Sequence, residues 1–209
     1  MTATLFGNKR ISTISYSNDE IIKDIMSLYG IKRFDLDCTY SKGVFWERLP
    51  QPKHKTDIEP QTKDTIKANS EELPFDNSSL ESVMFDPPFL AGLYNKKGRM
   101  FDRFSGFRRM TDLWEYYRKS IFEIYRVLDE EGILVFKCQD VVSENKQWFS
   151  HSYIMNVAIE AGFYPQDLFI LLSKHRMVGA NHQRQFHARK FHSYFWVLRK
   201  TKTLVNYDT

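Results

Sequence analysis

"LESVMFDPPF", residues 80 to 89, decides how the chain is read. Its first six residues carry Leu80, Val83, Met84 and Phe85, the apolar run expected of a strand covered on both faces. The run then stops in an acid, two prolines and an aromatic. Pro87 and Pro88 fix φ at consecutive positions and donate no backbone hydrogen bond, so they end the strand and leave carbonyls to accept bonds from another partner. Asp86 adds a carboxylate acceptor and Phe89 a π face. Acceptors beside an aromatic plate suit a flat ring bearing an exocyclic amine, such as the Watson–Crick edge of adenine or cytosine extruded from a helix. The same residues would also suit a plain Pro-Pro turn with a surface acid and a packed Phe. The neighbouring elements decide between the two.

Upstream, "SYSNDEIIKDIMSLYG" (15–30) predicts a helix: Ser17 and Glu20 have capping-box spacing, Ile21, Ile25 and Leu28 form a stripe, and Gly30 is a C′ stop. "KRFDLDCTY" (32–40) is strand-like. "RLPQPKHKTDIEPQTKD" (48–64) has three prolines and no period, with a short strand near "KTDI", and "TIKANSEELPF" (65–75) reads as a brief strand and a turn. Downstream, "TDLWEYYRKSIFEIYRVLDEEG" (111–132) is the longest helix, with Leu113, Tyr117, Ile121, Ile124 and Leu128 on one face, Thr111 or Asp112 at its start and Gly132 after its end. "ILVFKCQ" (133–139) is a buried strand, "SHSYIMNVAIEAG" (150–162) a helix, and "DLFILLSK" (167–174) and "HSYFWVLRK" (192–200) the last two strands. Alternating strands and helices predict an α/β fold in three layers, a mainly parallel sheet with helices on both faces. The last two strands are expected as an antiparallel pair at the sheet's edge.

The 209 residues predict a single domain, with residues 1–14 as an irregular arm. No apolar run approaches the roughly 20 residues of a membrane span, and the start lacks the apolar core of a signal peptide. Cys38 and Cys138 are the only cysteines, which argues against a disulfide framework and for a reducing cytoplasm. Residues 96–109 and 174–192 hold eleven of the 30 Lys/Arg but one of the 26 acids, so they carry net +10 and the rest −6. An acidic body with two basic loops (93–110 and 174–191) suggests contact with a polyanion, most simply nucleic acid, the plainer alternative being two ordinary solvated loops; no membrane partner is expected.

Ligands of open α/β sheets sit beyond the carboxyl ends of the strands. Three polar signals fall at such ends: Asp37 with Gly43 in "DLDCTYSKG", Asp57 or Glu59 in "TDIEP", and Asp86 in "FDPPF". Four of six histidines (His175, His182, His187, His192) crowd the second basic loop, but without nearby Cys or a zinc-like spacing no metal site is expected. Cys138 is expected as a buried strand residue.

In that order, the signals resemble the S-adenosylmethionine-dependent amino methyltransferases, above all the N6-adenine DNA methyltransferases of small bacterial and phage type. "DPPF" resembles their catalytic D-P-P-[YFW] tetrad. "LDCTYSKGVF" (36–45) is similar to the cofactor motif D-x-F-x-G-x-G-x-F, with Asp37, Gly43 and Phe45 in register and Ser41 where the first glycine is usual. The resemblance covers about residues 15 to 140 and implies a class I methyltransferase fold, a seven-stranded sheet with one antiparallel edge strand. It implies Asp86, Pro87, Pro88 and Phe89 as catalytic residues. It also implies that Asp37, Thr39, Tyr40, Ser41, Gly43, Asp57, Asn69, Ser70 and Asp86 bind S-adenosylmethionine, beside a helix at 17–29.

The implied reaction is methylation of the N6 amine of a flipped adenine in DNA. RNA adenine methylation and DNA cytosine-N4 methylation stay open as alternatives, as does a binding protein without catalysis. Adenine is favoured over cytosine, because D-P-P usually accompanies adenine; the same tetrad occurs in RNA adenine methyltransferases, and DNA is favoured over RNA because the small DNA methylases look closest. Lys96, Lys97, Arg99, Arg103, Arg108, Arg109, Arg176, Arg184, Arg189 and Lys190 would then neutralise phosphates, with Phe101, Phe104 or Phe107 stacking or packing. No target-recognition domain remains after the core is allotted, so recognition falls to the two loops, a homodimer or a partner subunit.

Overall fold

A computed structural model describes residues 10–91, 107–173 and 187–201. Eight strands form the main sheet: β1 (Ile14–Ser15), β2 (Leu36–Asp37), β3 (His54–Asp57), β4 (Ile66–Lys67), β5 (Leu80–Phe85), β6 (Leu128–Cys138), β9 (Phe163–Leu172) and β10 (His192–Lys200). Their order is β1-β9-β10-β6-β5-β2-β3-β4. A hairpin of β7 (Val141–Ser143) and β8 (Lys146–Trp148) stands apart. Helix α1 (Asn18–Tyr29) covers one face; α2 (Met110–Val127) and α3 (Ser150–Ala161) cover the other.

β5 shows why the opening stretch is nearly all apolar. Val83 and Phe85 point into the core under α2 and α3, Met84 points into the core under α1, and all three are fully buried. The same alternation runs along β6 and β10, whose Leu134, Phe136, Trp196 and Leu198 face α2 and α3 while Val135, Phe195 and Val197 face α1. A strand between two helical layers has no polar face to show.

The pairing is parallel except at β10, which runs antiparallel to both β6 and β9. β10 is therefore not an edge strand. It lies inside the sheet, as its near-continuous burial requires, and an eighth strand from the expected irregular arm, β1, pairs with β9 and takes the outermost place.

α1 begins and ends as its capping residues dictate. The Ser17 hydroxyl accepts from the Glu20 N–H at 3.4 Å, and Gly30 closes the helix at φ +68°. Its buried face is Ile21, Ile22, Ile25 and Met26, whereas Leu28 is exposed. α2 starts one residue earlier than expected, with the Arg109 N–H bonded to the Asp112 carboxylate, and it stops earlier too: Leu128 is already extended and opens β6. A distant residue ends it. The buried Lys200 ammonium donates to the Tyr125 and Leu128 carbonyls at 2.9 and 2.7 Å, using acceptors that another helical turn would need.

Candidate active site

β2, β3 and β5 are mutually parallel, so Asp37, Asp57 and Asp86 all arrive at one rim of the sheet. Thr39 ties two of the strand ends together, since its hydroxyl accepts the Asp86 N–H at 2.9 Å while its own N–H donates to Asp37 at 2.8 Å. Beyond Asp86 the two prolines lead α2-ward, where the buried Tyr117 hydroxyl donates to the Pro88 carbonyl. One of the carbonyls that the sequence left open is thus filled from within. Tyr117→Phe should lower unfolding free energy by about 1–2 kcal/mol, the consequence of stranding a half-buried carbonyl, read by urea denaturation at unchanged slope.

The sequence did not point to the partner of Asp86. Lys137 of β6 stands across from it, with Nζ 3.1 Å from Asp86 Oδ2, and its ammonium lies 5.1 Å from the Phe45 ring centre and 5.6 Å from that of Phe195. The signal was present as a lone basic residue inside "ILVFKCQ", but only the β5–β6 register, Phe85 beside Phe136, reveals what it meets.

Asp37 is turned inward. Oδ2 accepts from the Trp46 indole at 2.6 Å and Oδ1 from Thr39, and the residue is 3% exposed. Burial pushes its carboxyl up to about 7, with the Asp86 charge adding to the rise and the Trp46 and Thr39 hydrogen bonds opposing it. Because this value lies above that of an unfolded Asp, the folded chain holds the proton more tightly. The resulting stabilisation is complete below about pH 4 and disappears as pH rises through 7, amounting to something on the order of 4 kcal/mol. Urea denaturation across that window should show this decline in the wild type, and Asp37→Asn should lack it.

The remaining expected cofactor residues divide. Asp57 accepts from the Ser41 and Glu59 N–H groups, both at 2.8 Å, one on each oxygen. Ser41 adopts φ +51°, so the left-handed turn forms without the usual glycine. Gly43 (φ +72°) is required by the chain itself: a Cβ there would meet the Tyr40 hydroxyl at 2.3 Å. Tyr40 is buried and donates to Gln51 at 2.6 Å. Asn69 folds onto Glu71 through both its side-chain atoms. Ser70 is 3% exposed and joined to the hydroxyls of Tyr116 and Ser120 on α2.

Whether this rim suits S-adenosylmethionine can be judged from its unused polar capacity. A carboxylate has about four lone-pair sites, so the half-buried Asp57 keeps some for a ribose diol. α1 follows β1, which runs parallel to β9 and so in the direction of β5 and β6; the helix therefore starts at this rim. There the buried Oδ1 of Asn18 has no hydrogen-bond partner among the described residues, an acceptor matched to an ammonium group. These groups fit the cofactor's ribose and amino-acid ends.

A second polar cluster, also missed by the sequence reading, stands farther along the rim. Buried Asp140 holds His151 Nδ1 at 2.8 Å from both carboxylate oxygens; the His151 ring stacks on Tyr194 at 4.6 Å, and the Tyr194 hydroxyl meets His192 at 2.8 Å. Burial and the Asp140 charge push the Tyr194 phenol up to about 12. Of the expected phosphate contacts, Arg108 and Arg189 are exposed, Arg109 pairs with Asp112 at 3.0 Å, and the Lys190 ammonium reaches the Ala188 carbonyl. Lys96, Lys97, Arg99, Arg103, Arg176 and Arg184 lie outside the described residues, as do Phe101, Phe104, His175 and His182. Phe107 packs on Tyr116 at 5.0 Å, and His187 meets the Asn145 carbonyl at the hairpin turn. Among the described residues no His/Cys/Asp/Glu group could hold a metal, and no helix is long and apolar enough to cross a membrane.

The chain resembles one from the complex of the Haloferax volcanii Trm112 methyltransferase activator with a proposed methyltransferase, at TM-score 0.55 and 14% identity over 88% of this chain and 90% of that one. It resembles a SAM-dependent methyltransferase from Methanosarcina mazei at TM-score 0.53 and 11% identity, over 85% and 97%. The fold is that of a class I methyltransferase. The PvuII cytosine-N4-specific DNA methyltransferase matches at TM-score 0.49 and 17% identity, over 65% of this chain and 48% of that one. The chain spans about half the length of this enzyme and of a proposed DNA modification methylase from Thermus thermophilus. No family model matches the chain, and no curated protein matches it in sequence.

Proposed function

We propose that the chain transfers a methyl group from S-adenosylmethionine to the exocyclic N6 amine of an adenine flipped out of DNA. The observation that carries this reading is the Asp86-Pro87-Pro88-Phe89 turn, which leaves β5 at the same rim as Asp57 and the start of α1. When bound, the cofactor supplies an electrophilic methyl on a sulfonium, already an excellent leaving group. The chain's task is to orient a poor nucleophile. Asp57 would hold the ribose and Asn18 the ammonium. Asp86 and the Pro87 carbonyl would accept the two amine hydrogens, favouring the pyramidal nitrogen whose lone pair can attack in line, while Phe89 stacks on the ring. On accepting the methyl group the amine would become cationic, and Asp86 would take its surplus proton and pass it to water.

The basic stretches at 93–110 and 174–191 would hold the flanking phosphates. DNA is preferred to RNA on the resemblance of the compact plan to the small DNA methylases, and adenine to cytosine on Asp86 itself. The deciding experiment supplies labelled S-adenosylmethionine with unmethylated DNA and, separately, total RNA, then digests to nucleosides for mass analysis. N6-methyladenine in DNA is the expected product. N4-methylcytosine would move the target base, the same product only in RNA would move the polymer, and no transfer to either would overturn the reading.

A further inference from the structure

Lys137 occupies a position that simple neutralisation of Asp86 does not explain. Its side chain is 13% exposed and that of Asp86 26%, so the pair is shielded yet still opens at the rim. An ammonium has three donors. One goes to Asp86 Oδ2, and among the described residues no other hydrogen bond from Nζ is found. The Phe45 and Phe195 rings, 6.4 Å apart, hold the charge by their faces and limit where it can wander. The site therefore presents an acceptor and a fixed cationic donor side by side.

We propose that this pair reads the Watson–Crick edge of the target base: Asp86 accepts from the exocyclic amine, and Lys137 donates to the bare ring nitrogen next to it. The inference rests on the methyltransferase reading given above and names what that site selects. Adenine and cytosine both offer an amine beside an unprotonated ring nitrogen. Thymine and uracil offer a carbonyl beside a ring N–H, so in the same orientation they set carbonyl against carboxylate and N–H against ammonium; guanine offers its amine beside a ring N–H on this edge, which sets N–H against ammonium. Turned over, a keto base could pair with both groups, but it would bring its carbonyl to Lys137 and its ring N–H to Asp86, with no amine beside a bare ring nitrogen. Lys137 is thus a specificity residue for amino bases as a class. Choice between adenine and cytosine falls to the shape of the pocket around Phe89.

The test uses a single-stranded oligodeoxyadenylate and the same strand built from 1-deazaadenine, in which a C–H replaces the ring nitrogen. Both strands carry the same phosphates, so the electrostatic part of binding cancels. With S-adenosylhomocysteine present, the wild type should bind the adenine strand about tenfold more tightly, the loss of one hydrogen bond to a charged donor. Lys137→Met should bind both strands equally, at the weaker level. Equal binding of the two strands by the wild type would overturn the proposal whether or not Lys137→Met folds, as would a preference retained in the variant. Binding that depends on the ring nitrogen without any methyl transfer would uphold the proposal and sink only the catalytic reading. Failure to bind either strand would sink both.

Discussion

Asp86→Ala should reduce methyl transfer by about 10³-fold while leaving cofactor affinity nearly intact. The size follows from removing one preorganised acceptor from an amine that must develop positive charge, and with it the exit for its proton. The loss belongs in kcat, because the contact strengthens as the nitrogen becomes cationic. The substitution also strands the Lys137 ammonium, a half-buried charge that has lost its 3.1 Å partner, so some stability goes with it. A double-mutant cycle separates the two effects. Asp86→Ala combined with Lys137→Met should recover most of the stability and none of the activity, whereas recovery of activity would show that Asp86 acts only by restraining Lys137.

Trp46→Ala should come close to unfolding the protein. The indole is 1% exposed and packs against Phe34 and Phe45 with ring centres 5.6 Å away in both cases. Truncating such a side chain costs about 3–5 kcal/mol in lost contacts and cavity. Here the same change removes the donor to Asp37 Oδ2, adding about 1–3 kcal/mol for a buried oxygen left unpaired. The sum approaches the roughly 5–15 kcal/mol that holds a domain of ordinary stability together. Trp46→Phe keeps most of the volume and loses only the N–H, so urea denaturation of the two variants apportions the effect. A mild Trp46→Ala would mean that the loop after β2 contributes little to the fold.

Local signals in the sequence located what local physics determines. The capping of α1 by Ser17 and Gly30, the span of β5 and the span of β10 all lie where pattern and terminator place them. What could not be read depends on contacts between distant residues. The "DEEG" after α2 looks like a helical end, yet Lys200, more than seventy residues on, fixes the true boundary. The hairpin of β7 and β8 escaped notice because its turn, Glu144–Asn145, takes φ of +52° and +59° without a glycine to announce it. Within the site, the three strand-end acids were visible from spacing. Lys137 beside Asp86, and Asp140 beside His151, were not, since each pair is made by register or by a helix docking on the sheet. Asp37 and Ser70 were legible as polar residues near a rim, but the sequence does not say that both turn inward.

The outermost strands of the main sheet, β1 and β4, are each two residues long. β1 covers β9 only at Ile170 and Leu171, and β9 below them contains Pro165, which has no N–H to offer, at a register shift opposite Val197 and Leu198. Sheet edges are where chains nucleate aggregates, by adding a neighbour's strand to an open ladder. Among the described residues, neither end of this sheet offers a regular ladder long enough to propagate. Among the described residues, two copies of the chain meeting at high concentration would therefore find helical faces and loops rather than an open strand ladder at either margin.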